Sequence, residues 1–312
     1  MAKCLVLGAN GFIGSHLVDS LVRAGNSVRA FDRFGGEPMF ERHESVDLYY
    51  GDFLNRGDLD EALKGIEYVF HFISTTTPVT AENDPLIDIE TNIRMSVELF
   101  QACVDAGVKR VLFASTGGAI YGEGGSIPHA ETDIAQPVSP YAIGKLTIEH
   151  YLRYFRVKFG LDSVVLRISN PYGERQPLHR KQGVIPIFLE NICLGKPLTV
   201  LGDGSMVRDY VYVKDVTTMI ASMFDKTTKE KVYNIGSGHG ITVSELVVAV
   251  ERASGKKAQI DSLPVPPTFI HEVVLDTTRF TGEFGMDPQT SLQDGLAATL
   301  QFIEMEVRKR DE

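Results

Sequence analysis

Cysteine is scarce, positive charge is in deficit, and no long apolar run is present in this chain of 312 residues. The three cysteines, Cys4, Cys103 and Cys193, each sit in an apolar segment with no CxxC spacing. That pattern argues against a metal cluster or a disulfide frame and reads as buried thiols in a reducing compartment. Lys and Arg total 31 against 41 Asp and Glu, for a formal net charge of −10. A nucleic-acid or anionic-membrane surface needs clustered positive charge, so neither is expected as a partner, and any anionic ligand must be held by a few local cations and backbone amides. The first residues, "MAKCLVLGANGF", break their apolar run too soon for a secretory segment or a membrane span. The expectation is a cytoplasmic protein. Internal repeats, low-complexity linkers and long charge runs are also missing. What remains, 43% hydrophobic and 23% charged, is the composition of an ordinary globular protein of one large or two modest domains.

Present instead is a regular alternation. Short β-branched runs ("KCLVLGA", "SVRAFDR", "LYYGDF", "YVFHFIS", "RVLFAST", "SVVLRIS") are separated by stretches of helical period. These include residues 12 to 24, with Ile13, Leu17, Leu21 and Val22 on one face, "LDEALKGI", residues 86 to 106, and Tyr141 to about Phe159. This pattern specifies an α/β fold, a Rossmann-type doubly wound parallel sheet with helices on both faces. After Asn170 the rhythm loosens. "GVIPIFLENICLG" and "ITVSELVVAVERASG" read as helices and "KVYNIGSG" as a strand, and the last residues as a solvated helix end. The expected division is residues 1–170 as the dinucleotide-binding part. Residues 171–312 form a smaller C-terminal substrate-binding α/β part, from which segments such as 206–240 return to the main sheet.

Gly8, Gly11 and Gly14 in "LVLGANGFIG" lie between the first strand and the first helix. In that context the first glycine serves the tight turn, the second the close approach of backbone to a pyrophosphate, and the third the packing of helix on sheet; the free amides of the helix start face the phosphates. Asp32 ends the second strand 18 residues after Gly14, where a carboxylate accepts hydrogen bonds from the adenosine ribose and repels a 2′-phosphate. NAD is therefore favoured over NADP, although Arg33 beside it keeps NADP open. Asp52, after the third strand, suits either the adenine amino group or a plain turn. A second glycine cluster, Gly236, Gly238 and Gly240, also follows a strand, but no acid-ended strand follows it; an ordinary turn capped by Thr242 or Ser244 is the simpler reading.

Tyr141 and Lys145 in "SPYAIGKLTIEHY" stand four residues apart at a helix start. The spacing recurs at Tyr154 with Lys158 and at Tyr210 with Lys214. Tyr154 lies 13 residues further along the same helix and reads as packing, whereas Tyr210 sits in an extended segment. For Tyr141 and Lys145, one helical turn apart after the fifth strand, a nearby ammonium and an oxidised nicotinamide both favour phenolate, which suits a general base.

Taken together, "GANGFIG", Asp32, "GDF", "HFIS", "STGGAIYG", "YAIGK", "LRISNPYGERQ", "GDGSMVRDYVYVKDV" and "YNIGSG" resemble the extended short-chain dehydrogenase/reductase family over essentially the whole chain, and within it the nucleotide-sugar epimerases of the UDP-glucose 4-epimerase type. The resemblance implies a UDP-sugar substrate and a tightly held, recycled NAD. Tyr141 takes the proton of the sugar 4-hydroxyl while hydride passes to NAD, the 4-keto sugar turns in its pocket, and hydride returns to the other face. It adds Phe12, Ile13, Phe53, Phe72, Ser74, Asn92 and Ser115 to the cofactor set, and Asn170, Arg175, Gln176 and Arg208 to the substrate set. A homodimer through helices 86–106 and 141–159 is also implied. The family's catalytic hydroxyl falls on Gly117, so Thr116, or else Ser115, is expected to stand in. A further diphosphate-binding arginine is missing near Pro266 and Thr268, where His271 or Arg279 are possible replacements. Gly118 and Ala119 stand where related dehydratases carry an acid, which disfavours elimination of water. A uronate or N-acetylhexosamine substrate remains open, whereas a non-catalytic sensor would usually have lost the tyrosine or the lysine. No metal site is expected.

Overall fold

The computed structural model describes residues 1–178, 183–265 and 270–311, so Pro266 and Thr268 lie outside the described residues. In chain order the strands are β1 (Lys3–Leu7), β2 (Ser27–Asp32), β3 (Val46–Tyr50), β4 (Tyr68–His71), β5 (Arg110–Thr116), β6 (Asp162–Ile168), β7 (Asn170–Tyr172), β8 (Leu198–Leu201), β9 (Val207–Tyr212), β10 (Val232–Ile235), β11 (Gly240–Thr242), β12 (Ile260–Leu263) and β13 (Glu272–Val273).

Seven of them form one sheet, ordered β10-β6-β5-β4-β1-β2-β3, and every adjacent pair in it is parallel. The central strands read as continuous apolar runs because both faces are covered. One face is packed by the helices Phe12–Arg23 and Val213–Met223, through Leu17, Val18, Leu21, Val216 and Ile220. The other carries the helices Arg94–Asp105 and Pro140–Phe159, through Leu99, Phe100, Ile148 and Leu152. The chain runs outward from β1 to β2 and β3 and then crosses back to β4 on the other side of β1. That reversal opens a crevice at the carboxyl ends of β1 and β4, the place where ligands enter such sheets.

A third core lies beyond the sheet. There the helices Val184–Cys193, Val243–Ser254 and Leu292–Asp311 pack on one another around Phe188, Leu246, Leu296 and Ile303. Thr242 caps the second of them, with Glu245 completing a reciprocal capping box. The small sheet of this part has the order β11-β9-β13, with β7 also paired to β9. Among the described residues only β10 of the later strands rejoins the main sheet, and β9 does not.

The sequence reading misses structure in two places. "RDYVYVKDV" is a strand only to Tyr212, and the helix Val213–Met223 begins at once behind it. The single helix expected over 86–106 is three pieces: a turn Pro85–Asp88, a π-helical turn Ile89–Ile93, and the helix Arg94–Asp105. Period alone cannot show an inserted residue that widens one turn.

Candidate active site

The glycine loop has the geometry its spacing implies. Gly8 has φ +81°, and a Cβ on it would lie 2.9 Å from Ile73 Cα. A Cβ on Gly14 would collide with the Gly8 carbonyl, so helix and strand approach as closely as only glycine allows. Gly11 precedes the helix Phe12–Arg23 without any side-chain cap, so amides at the helix start remain for an anion. Phe12 is edge-on to His16 and Ile13 packs against the core. Asp32 closes the loop from the second strand, its Oδ2 accepting from the Asn10 amide at 2.9 Å and its Oδ1 from the Arg33 amide at 2.8 Å. Asp52 accepts from the Leu54 amide and so forms its turn, and Phe53 is buried against His71. Phe72 donates its amide to Leu7, and the Ser74 hydroxyl donates to the Thr76 carbonyl.

Ser139 caps the helix Pro140–Phe159 through the Ala142 amide, with Pro140 at its first position. One turn in, Lys145 is buried and donates from Nζ to the Ala114 carbonyl at 3.0 Å, 4.8 Å from the Phe113 ring centre and 5.7 Å from that of Tyr141. Burial pulls the ammonium down to about 8, opposed by the negative charges of Asp88 and Glu149. In the chain by itself Tyr141 departs from expectation. Loss of solvation pushes its phenol up to about 12, and the charge of Asp88 adds to the shift. Tyr141, Lys145, His71, Ile73, Phe113, Asp88 and Asn92 line one cleft.

The hydroxyl position is closed as well as vacant of a side chain. A Cβ on Gly117 would strike Leu275 Cδ1 and sit 2.9 Å from the Arg167 carbonyl. Strand alternation puts Ser115 on the face of Phe113 and of the Lys145 helix, and Thr116 on the face of Ala114. Ser115 is engaged there, its Oγ donating to Glu149 Oε1 at 2.5 Å. Glu149 is paired in turn with the buried Arg167 at 2.8 Å. Arg167 reaches the Tyr121 hydroxyl, which donates to Asn234. Among the described residues the Thr116 hydroxyl makes no hydrogen bond.

Asn92 is turned inward, both its amide protons donated to Asp88 and Thr76, and its oxygen accepts from the Thr75 amide. Asn170 donates to the Asp209 carbonyl and brings its amide against Gly118. Arg208 gives its fork to the carbonyls of Val207, His271 and Ile270 and, among the described residues, is in no ion pair. Arg175, at φ +63°, is drawn away from the expected substrate loop to Asp19 at 2.7 Å; Gln176 follows it beside Gly183. Arg279 is the clearest departure. It pairs with Glu131 and donates to Val232 at the amino end of β10, the edge of the sheet opposite the crevice. Tyr154 packs edge-on against Phe155 and Phe159 while remaining 45% exposed and bonded by Lys158.

Four buried residues escaped the sequence reading: Asp88, Glu149, Arg167 and Asp209. Asp209 accounts for the second glycine cluster. Its carboxylate accepts from the amides of Ser237 and Gly238 and from the Ser237 hydroxyl, and a Cβ on Gly236 would lie 2.5 Å from it. Glycine at 144, inside the tyrosine-lysine turn, was the available signal for Asp88.

The NAD dependent epimerase/dehydratase family model matches residues 4–236, and the chain belongs to that family. A UDP-glucose 4-epimerase of Mycolicibacterium smegmatis is 32% identical over 307 residues, covering 96% of this chain and 98% of its own. A dTDP-4-dehydro-6-deoxyglucose reductase of Escherichia coli is also 32% identical over 307 residues, at 96% coverage of both. Among solved structures, the UDP-glucose 4-epimerase of Thermotoga maritima with UDP-glucose superposes with a TM-score of 0.91 at 35% identity, covering 99% of this chain and 100% of that one.

Proposed function

We propose that this protein is an NAD-dependent nucleotide-sugar 4-epimerase acting on a UDP-hexose of the glucose/galactose type. The observation that carries the reading is the Tyr141–Lys145 turn at the carboxyl end of β5, beside an uncapped glycine-loop helix and Asp32. NAD fits that loop, because a side chain on Gly8 or Gly14 would fill the close approach and Asp32 stands where the ribose hydroxyls need an acceptor. When bound, it supplies the acceptor and donor of hydride at the sugar C4.

The chain's own groups move the proton. Tyr141 takes it from the 4-hydroxyl and later returns it. Lys145, held on the Ala114 carbonyl, provides the adjacent positive charge and further donors for the cofactor ribose. Arg208 is the cation for the diphosphate, since it is half-buried and has no carboxylate partner among the described residues, and Asn170, whose amide lies against Gly118, is the group for the sugar. Ser115, on the face of Tyr141, is the side chain placed to assist in place of Gly117, whereas Thr116, whose hydroxyl is uncommitted, lies on the face of Ala114. Residues 1–170 form the cofactor part and those from 171 onward mainly hold the sugar nucleotide. No carboxylate stands at residues 117–119 to drive dehydration.

No helix among the described residues is long and apolar enough to cross a membrane. A cytoplasmic setting is supported by the free buried thiols Cys4 and Cys103. A homodimer through the helix Pro140–Phe159 is supported by its exposed Ile143, Tyr151, Tyr154 and Val157.

Proton NMR of UDP-glucose incubated with the protein, without added reductant, tests the reading. Growth of the UDP-galactose anomeric signal to a steady ratio supports it. A flat spectrum from folded, NAD-loaded protein overturns the glucose assignment and turns the assay to UDP-glucuronic acid and UDP-N-acetylhexosamines.

A further inference from the structure

Gly144 separates Tyr141 from Lys145 by sequence, and the space its side chain would take is filled by the Asp88 carboxylate, whose Oδ2 occupies the place of a Cβ. Asp88 is 3% exposed and comes from the far side of the cleft, at the start of the π-helical turn. Its other oxygen is fixed twice. Oδ1 accepts from Thr76 Oγ1 at 2.5 Å and from Asn92 Nδ2 at 2.8 Å, and Asn92 also donates to Thr76 at 2.8 Å. That closed triangle leaves Oδ2 without a hydrogen bond among the described residues and directed at the helix between the two reactive side chains. A glycine inside a helix costs about 1 kcal/mol relative to alanine, and a widened turn concentrates at functional sites; here each accommodates the other.

We propose that Asp88 is a positioning residue for the Tyr141–Lys145 pair: a buried anion wedged at Gly144 that holds Lys145 as an ammonium and makes Tyr141 a stronger base. The inference rests on the reading of that pair as catalytic.

The surroundings leave the charge of Asp88 largely to those two groups. From β4 comes His71, neutral because burial takes it down to about 3; it bonds Ser96 of the Arg94–Asp105 helix. From the loop after β4 comes the Thr76 hydroxyl, and from β5 the Phe113 ring and the Ala114 carbonyl. Glu149 lies one turn beyond Lys145 and is engaged by Arg167. Among the described residues Lys145 is the one cation lining the cleft. The charge of Asp88 favours the protonated form of both Lys145 and Tyr141.

Asp88→Asn removes the charge and retains an oxygen for Thr76 and Asn92. Both limbs of kcat against pH should move toward acid by about one unit: the acid limb because Tyr141 ionises earlier, the alkaline limb because Lys145 loses its proton earlier. Gly144→Ala, which displaces the carboxylate from the other side, should shift both limbs in the same direction. In parallel, 13C NMR of lysine-labelled NAD-loaded protein, with Lys145 assigned through Lys145→Met, should show its titration midpoint lower in Asp88→Asn than in the wild type. A fall in kcat with unmoved limbs and an unmoved Lys145 midpoint would overturn the proposal and reduce Asp88 to a loop anchor. A wild-type protein that converts no nucleotide sugar would defeat the epimerase reading, and the Lys145 midpoint would still decide the role of Asp88.

Discussion

Breaking the buried pair of Glu149 and Arg167 should lower stability more than any single surface change. Both side chains are 7% exposed and joined at 2.8 Å, with a second contact from Arg167 Nε at 3.2 Å. Glu149→Ala leaves a guanidinium in the interior with, among the described residues, only the Tyr121 hydroxyl for a partner, and it strips Ser115 of its acceptor. Removing one member of such a pair costs about 3–5 kcal/mol, because the remaining charge has lost water and partner together. With an unfolding entropy of about 2.1 cal/mol/K per residue over 312 residues, a loss of about 4 kcal/mol lowers the thermal midpoint by roughly 6 °C. Glu149→Met with Arg167→Met, which removes both charges and keeps volume, should recover most of the loss. Thermal and urea denaturation of the two single variants and the double variant form a double-mutant cycle. A Glu149→Ala midpoint within about 2 °C of wild type, or a double variant that falls as far as the two singles combined, would refute the reasoning.

Tyr141→Phe should abolish epimerisation while NAD binding and the melting midpoint hold; a few per cent of retained turnover would sink the assignment of the base. Gly117→Ser, a seemingly restorative hydroxyl, should instead cost about 1–3 kcal/mol by overpacking against Leu275, read as a lower urea midpoint without a gain in kcat. His16, 2% exposed and taken down to about 4 mainly by burial, is held neutral in the fold. Its contribution is complete above pH 6.5 and is lost as pH falls toward 4, roughly 3 kcal/mol in all. A urea midpoint that fell no more with acid in wild type than in His16→Gln would contradict this. Iodoacetamide followed by mass spectrometry should label Cys193 first, because Cys103 is fully buried and burial holds the Cys4 thiol up at about 12.

The parts of the molecule that are local in sequence were legible there. The glycine loop, Asp32 and the Tyr141–Lys145 turn each declare themselves within a few residues, because strand end, turn and helix start are adjacent in the chain. What escaped depends on partners far away. Arg279 looked available for a ligand until its pairing with Glu131, 148 residues earlier, was seen; Arg175 is held by Asp19 of the glycine-loop helix. Asp88 has no motif of its own, since its meaning lies in Gly144 and in a π-helical turn that periodicity cannot register. Gly117 could be recognised as a departure from the family pattern, but that its place is blocked by Leu275 required the fold.

The loop at Gly236 and Gly238 has the construction of an anion cradle, with successive amides turned inward, and its anion is Asp209 of the same chain. Covalent attachment supplies that carboxylate at an effective concentration no free phosphate reaches in solution. The molecule thus carries two such cradles, one occupied at synthesis and the other, at Gly11, left for a ligand. A glycine-rich turn after a strand marks the capacity to hold an anion, and only the rest of the fold decides whether that anion is a cofactor or the protein itself.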